Sequence, residues 1–117
     1  MEHKRADRVA DLILQELAEV LVRKAKDPRL DGITLTEVDV SADLRHATVY
    51  YSLLGDSEKR DEAARGLESA KGFVKRELGK RLKLRRIPEV EFRFDGSLEY
   101  GSRIERLLGE LKESNGK

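Results

Sequence analysis

Residues 69–88 read Ser69-Ala70-Lys71-Gly72-Phe73-Val74-Lys75-Arg76-Glu77-Leu78-Gly79-Lys80-Arg81-Leu82-Lys83-Leu84-Arg85-Arg86-Ile87-Pro88. Val74, Leu78 and Leu82 recur at four-residue steps, so one side of a helix is apolar, while Arg76, Lys80 and Lys83 fall on the opposite side. Gly72 stands where this repeat meets an upstream one carrying Ala63, Ala64, Leu67 and Ala70. The junction predicts a kink or tight break between two helices. Phe73 and Leu84 do not fit the stripe of the second helix. Pro88 opens a strand over 88–95, in which Val90, Phe92 and Phe94 alternate inward with charges outward.

Upstream of the helical pair, residues 46–54 alternate in the same way, with Ala47, Val49, Tyr51 and Leu53 on one side, and Gly55-Asp56-Ser57 supplies a loop and an N-cap. A strand, two helices and a strand make a crossover unit, so the strand at 88–95 is expected to run parallel to that at 46–54. Residues 33–41 form another strand, joined to 46–54 by a short antiparallel hairpin. Its apolar phase shifts between Ile33/Leu35 and Val38/Val40, which predicts a bulge or a late strand start.

At the N-terminal side, Val9, Ile13, Leu17 and Val20 mark a long first helix over about 4–25, stopped by Asp27-Pro28-Arg29-Leu30-Asp31-Gly32. Beyond Asp95-Gly96, the capping box Ser102-Arg103-Ile104-Glu105 opens a last helix with Ile104, Leu107, Leu108 and Leu111 as its stripe. The expected fold class is α+β, in the order α-β-β-α-(kink)-α-β plus a C-terminal helix, with a three-stranded sheet covered by helices on one face. One domain over 1–113 and a frayed tail at 114–117 complete the expectation.

The chain's 117 residues suffice for a single core. Charged residues make up 40% and hydrophobic ones 38%, yet the apolar positions are periodic, as in a folded protein with a heavily charged exterior. Cysteine is absent, which removes disulfides, thiolate metal sites and cysteine nucleophiles. No apolar run approaches the roughly 18 residues of a membrane span. A cytoplasmic location without membrane association is expected.

Catalytic parts are missing. The two histidines, His3 and His46, supply neither a metal cluster nor a Ser-His-Asp relay. Acidic pairs such as Asp7/Asp11 and Glu16/Glu19 read as solvated helix surface. Gly79-Lys80-Arg81 lacks both the leading glycine and the terminal hydroxyl of a phosphate-binding P-loop. No enzymatic activity, metal or cofactor is expected.

What remains is charge. Residues 71–86 hold eight basic side chains, Lys71, Lys75, Arg76, Lys80, Arg81, Lys83, Arg85 and Arg86, against the single acid Glu77, although the formal net charge of the chain is +1. Such sorting is the footprint of a phosphate-docking surface, and the mixture of lysine and arginine suits contact with an RNA backbone better than base reading. The element order and scarce aromatics do not fit an RRM. Helix, break and helix between strands is similar to the KH arrangement, but a KH domain clamps nucleotides with a GXXG loop, and no two glycines here are three apart.

Lys26-Asp27-Pro28-Arg29-Leu30, the Ala70-Lys71-Gly72-Phe73 junction with its basic helix, Ile87-Pro88-Glu89-Val90 with Phe92 and Phe94, and Asp95-Gly96-Ser97-Leu98 with Gly101 and Arg103-Ile104 closely resemble the ribosome-binding factor A family over nearly the whole chain. The resemblance implies a type II KH-like fold whose GXXG is replaced by an A-x-G kink, matched here by Ala70, Lys71 and Gly72. It also implies binding to free or immature 30S subunits and 16S rRNA, a part in late small-subunit maturation, rRNA processing and cold adaptation, and a functional link to assembly GTPases. A monomer is expected. The alternative from a different class is a protein–protein adaptor using the amphipathic terminal helices.

Overall fold

The computed structural model describes residues 2–21 and 25–96. Helix α1 spans Glu2–Glu19, a single 3-10 turn covers Pro28–Leu30, and strands β1 (Thr34–Val40) and β2 (His46–Ser52) follow. Helix α2 (Ser57–Arg81) and strand β3 (Glu89–Phe94) complete the described elements. The expected last helix and the tail at 114–117 lie outside the described residues, as does the end of the single domain expected over 1–113.

The sheet has the order β1-β2-β3, with β2 in the centre. β1 and β2 are antiparallel, and β2 and β3 are parallel, as the crossover requires. The register of β1 against β2 shifts between Leu35 and Glu37, where the change of apolar phase predicts a bulge. Downstream of it, Val38 lies opposite Val49 and Val40 opposite Ala47. Val49 in turn faces Phe92, and Tyr51 faces Phe94. One face of the sheet is therefore apolar across all three strands.

Both helices cover that face. Val9, Ile13, Leu17 and Val20 of the first helical segment join Val49, Leu67, Val74 and Leu78 in a single core, each at most 4% exposed. The stripe of Val9, Ile13, Leu17 and Val20 is thus spent on the core, while Leu12 stays 45% exposed. The opposite sheet face carries the exposed Glu37, Asp39, Glu89, Glu91 and Arg93. Burial of Tyr51 raises the pKa of its hydroxyl. Its ring meets Phe94 edge-on at 5.8 Å, and the guanidinium of Arg60 lies 5.2 Å from the centre of the Phe94 ring.

The expected pair of helices is one. α2 runs unbroken through Ala70, Lys71 and Gly72, started by Asp56, whose carboxylate accepts from the Lys59 amide at 2.9 Å. The reason lies in spacing: Ala63, Leu67, Ala70, Val74 and Leu78 keep three- and four-residue steps straight across the junction, so an uninterrupted helix buries both halves on one side. A lone glycine costs a helix only about 1 kcal/mol and does not stop it. Leu84, which fits no helical stripe, lies beyond the helix end and packs partly against the core.

Within α2 the glycine of close approach is Gly66. A Cβ there would stand 3.0 Å from both Arg29 Cβ and Leu30 Cδ2. The Asp27-Pro28-Arg29-Leu30 turn sits against α2 at this point, capped by Asp27, which accepts from the Arg29 amide at 2.9 Å and from its guanidinium Nη2 at 2.8 Å. Gly72 has no such neighbour, since a Cβ there would meet nothing nearer than Arg76 Nη1 at 4.0 Å.

Candidate nucleic-acid interface

A crossover helix runs against its flanking strands, so the C-terminal end of α2 lies at the end of the sheet where β2 and β3 begin and β1 ends. The β1–β2 hairpin turns at this same end, and the Glu89 amide donates to the Arg45 carbonyl at 2.9 Å. The start of α1 reaches it too. A cleft of about 630 Å³ is lined by Arg5 of α1, by Asp43, Leu44 and Arg45 of the hairpin, and by Leu84, Arg85 and Arg86 after α2. Cations far apart in sequence thereby share one pole of the molecule.

The eight basic residues of 71–86 divide by their surroundings. Arg76, Lys83, Arg85 and Arg86 are exposed and form no ion pair with a carboxylate among the described residues. Lys71 pairs with Glu68 at 3.0 Å, Lys75 with Glu89, and Lys80 with Glu77 at 3.3 Å. The exposed pairs of Lys71 and Lys75 are worth about 0–1 kcal/mol, so a phosphate can replace their carboxylates at small cost, whereas the Glu77 side chain beside Lys80 is only 9% exposed. Lys75 holds the Glu89 carboxyl below its ordinary pKa through a side-chain hydrogen bond.

Arg81 stands apart. Its Nη1 donates to Glu16 Oε2 at 2.9 Å and lies 3.3 Å from Glu19 Oε2, and its side chain is only 18% exposed. These bonds push its pKa up. Arg81 faces α1 rather than solvent and fastens the two helices together. At the expected kink, Ala70 and Lys71 are half-buried and Gly72 is exposed, all within continuous helix.

Two cations that the basic segment does not contain enter the cleft, Arg5 and Arg45. The position of Arg45 follows from the hairpin. Asp43 Oδ1 accepts from Ser41 Oγ at 2.6 Å and from the Arg45 amide at 3.0 Å, which holds the Asp43 carboxyl below the usual carboxylate range. Leu44 takes the left-handed backbone with φ +62°. An aspartate that folds back on the chain two residues ahead is a local signal for such a turn, but no local pattern tells that it meets residues 84–86. A second cleft of about 550 Å³ shares Arg45 and Arg86 with the first and continues to His46, Lys75, Ile87 and Glu89. Among the described residues no group of three or more His, Cys, Asp or Glu side chains is placed to hold a metal ion, and no helix is long and apolar enough to cross a membrane.

Comparison with known proteins places this architecture. A curated ribosome-binding factor A from Syntrophobacter fumaroxidans is 50% identical over 116 residues, covering 97% of this chain and 99% of the relative. The crystal structure of ribosome-binding factor A from Thermus thermophilus superposes with a TM-score of 0.68 at 28% identity, covering 76% of this chain and 93% of that one. A homology model of the Thermus thermophilus factor, fitted into a cryo-EM map of its 30S complex, gives a TM-score of 0.62 at 29% identity, with 74% and 91% of the chains covered. The family model for ribosome-binding factor A matches residues 5–108, and the chain belongs to that family.

Proposed function

We propose that this protein is a non-catalytic assembly factor that binds free or immature 30S subunits through 16S rRNA and promotes late small-subunit maturation and rRNA processing. The observation that carries the reading is the basic pole, where Arg76, Lys83, Arg85 and Arg86 of the segment 71–86 stand exposed and the last two share a cleft with Arg5 and Arg45. Lys71 and Lys75 extend it along α2 by exchanging weak carboxylate partners for phosphate, and the exposed ammonium of Lys80 adds to it. Arg81 serves the fold instead. The domain is read as a type II KH variant with Ala70-Lys71-Gly72 in place of the nucleotide clamp, so affinity comes from charge and shape over a folded RNA surface.

A relative fitted into a 30S complex supports the same partner. Cosedimentation of the pure protein with 30S, 50S and naked rRNA across a salt series tests the reading. If about five phosphates are neutralised, log K falls with log salt at a slope of about −3.5 to −4.5. Reversing Arg76, Lys83 and Arg86 to glutamate abolishes 30S association while leaving the thermal melt nearly unchanged. Salt-insensitive association with a protein, or metal-dependent RNA cleavage, overturns the assignment.

A further inference from the structure

The cleft at the basic pole has something the convex row of cations on α2 lacks. Leu44 and Leu84 line it and are half-buried, packed partly against the core, so their outer surfaces form an apolar floor beneath the rim of Arg5, Arg45, Arg85 and Arg86. A bare phosphate group has no use for such a floor. A paired helix of RNA cannot reach it, because its bases remain stacked and only the sugar–phosphate edge is presented. The ligand that uses both parts is an unpaired nucleotide, with its base on the leucines and guanidinium planes and its phosphates on the arginines.

Charge and continuity agree with this occupant. Among the described residues the single carboxylate in the lining is Asp43, which is engaged by Ser41 and the Arg45 amide, and four arginines face the ligand. Arg45 and Arg86 also border the neighbouring cleft toward Lys75 and His46, so they form a cationic ridge between two hollows. A single strand crossing that ridge would place successive nucleotides on either side of it, with the linking phosphate at Arg45 and Arg86.

We infer that the Leu44/Leu84 cleft is a subsite for one unstacked nucleotide, which directs the protein to a single-stranded segment of its RNA rather than to a duplex. The inference rests on the RNA reading above and adds the kind of RNA selected. It assigns roles to Leu44 and Arg45, which lie outside the basic segment and about 25 residues upstream of the Ala70-Lys71-Gly72 stretch.

The test uses a short fluorescein-labelled RNA, alone and annealed to its complement, with binding read by anisotropy at fixed salt. The wild-type chain binds the single strand about tenfold more tightly than the duplex, the scale of burying part of one base face against the leucines. Leu44→Asn keeps the left-handed backbone that asparagine tolerates, removes the apolar floor and abolishes the preference while retaining duplex binding. Leu84→Ser is the second variant, used if Leu44→Asn melts early. Arg45→Ala with Arg86→Ala weakens single-strand binding by about tenfold, while Lys80→Ala with Lys83→Ala weakens both RNAs alike.

Equal wild-type affinity for the two RNAs overturns the inference, as does a preference that survives loss of the leucine floor. Cosedimentation separates it from the functional reading. A chain that joins 30S particles without preferring single strands loses this subsite alone, whereas one that prefers single strands but never joins 30S particles loses the assembly role alone.

Discussion

Arg81, in the last turn of α2, places its Nη1 2.9 Å from Glu16 Oε2 of α1, a residue 65 positions earlier in the chain. Glu19 lies beside the same guanidinium at 3.3 Å, and Glu77 approaches its Nε at 3.9 Å. A residue in the middle of a basic run thus joins two helices over the sheet. Its neighbours Lys80 and Lys83 are exposed.

Arg81→Ala and Lys83→Glu should therefore separate stability from binding. The first lowers the melting temperature, because it leaves Glu16, Glu19 and Glu77 without their shared cation, and it leaves 30S association intact at temperatures where the variant is folded. The second leaves the melt nearly unchanged and weakens association. Thermal denaturation and cosedimentation of the two variants read the difference directly.

Gly66 and Gly72, two of the three glycines of α2, predict opposite signs. Gly72→Ala removes a flexible residue from an exposed helical position with open space around its Cβ, and stabilises the protein by about 0.5–1 kcal/mol. Gly66→Leu drives a side chain into Arg29 and Leu30 and destabilises by about 1–3 kcal/mol. Denaturant titration measures both. A Gly72→Ala chain that is more stable yet poorer at 30S association would assign the glycine to docking rather than folding.

Acid should destabilise the turn and the hairpin. Hydrogen bonds from Arg29 hold the Asp27 carboxyl below its ordinary pKa, and those from Ser41 and the Arg45 amide do the same for Asp43. A depressed folded-state pKa means that the stabilisation is fully present above the ordinary carboxylate value and is lost as pH falls through the depressed one. Melting temperature should drop across that acidic window, and Asp43→Asn should flatten part of the drop. The same substitution loosens the support of Arg45 and should weaken RNA binding at neutral pH.

In the core, Leu78→Ala removes a side chain with no exposed surface from the contact of α2 with the rest of the core, at a cost of about 2–5 kcal/mol. Against the total stability typical of a small domain, about 5–15 kcal/mol, that is a large share. Leu54→Ser, at a position 76% exposed, should change stability by less than about 0.5 kcal/mol. Chemical denaturation of the two variants checks the contrast.

The three strands, the bulge of β1 and the cap within Gly55-Asp56-Ser57 were legible because each depends on side chains within a few residues of one another, and the parallel return of β3 followed from the order of the elements. Alternation at Ala47, Val49 and Tyr51 exposes the inward face of a strand, and the phase shift from Leu35 to Val38 exposes the bulge. The junction at Gly72 misled for the same reason. The glycine is visible locally, whereas the unbroken stripe from Ala63 to Leu78 has to be followed over four turns.

The amino-acid order by itself determined the three strands, the first helix, the sorting of cations into residues 71–86 and the family. Only the tertiary structure decided that β2 is central, that Arg81 turns to Glu16 while Arg85 and Arg86 turn to solvent, and that Arg5 and Arg45 meet them around a leucine-floored cleft. Periodicity is a property of neighbouring residues and can be read along the chain. Ion pairing and cleft formation depend on distances in space between residues dozens of positions apart, which exist only once the helices have packed against the sheet.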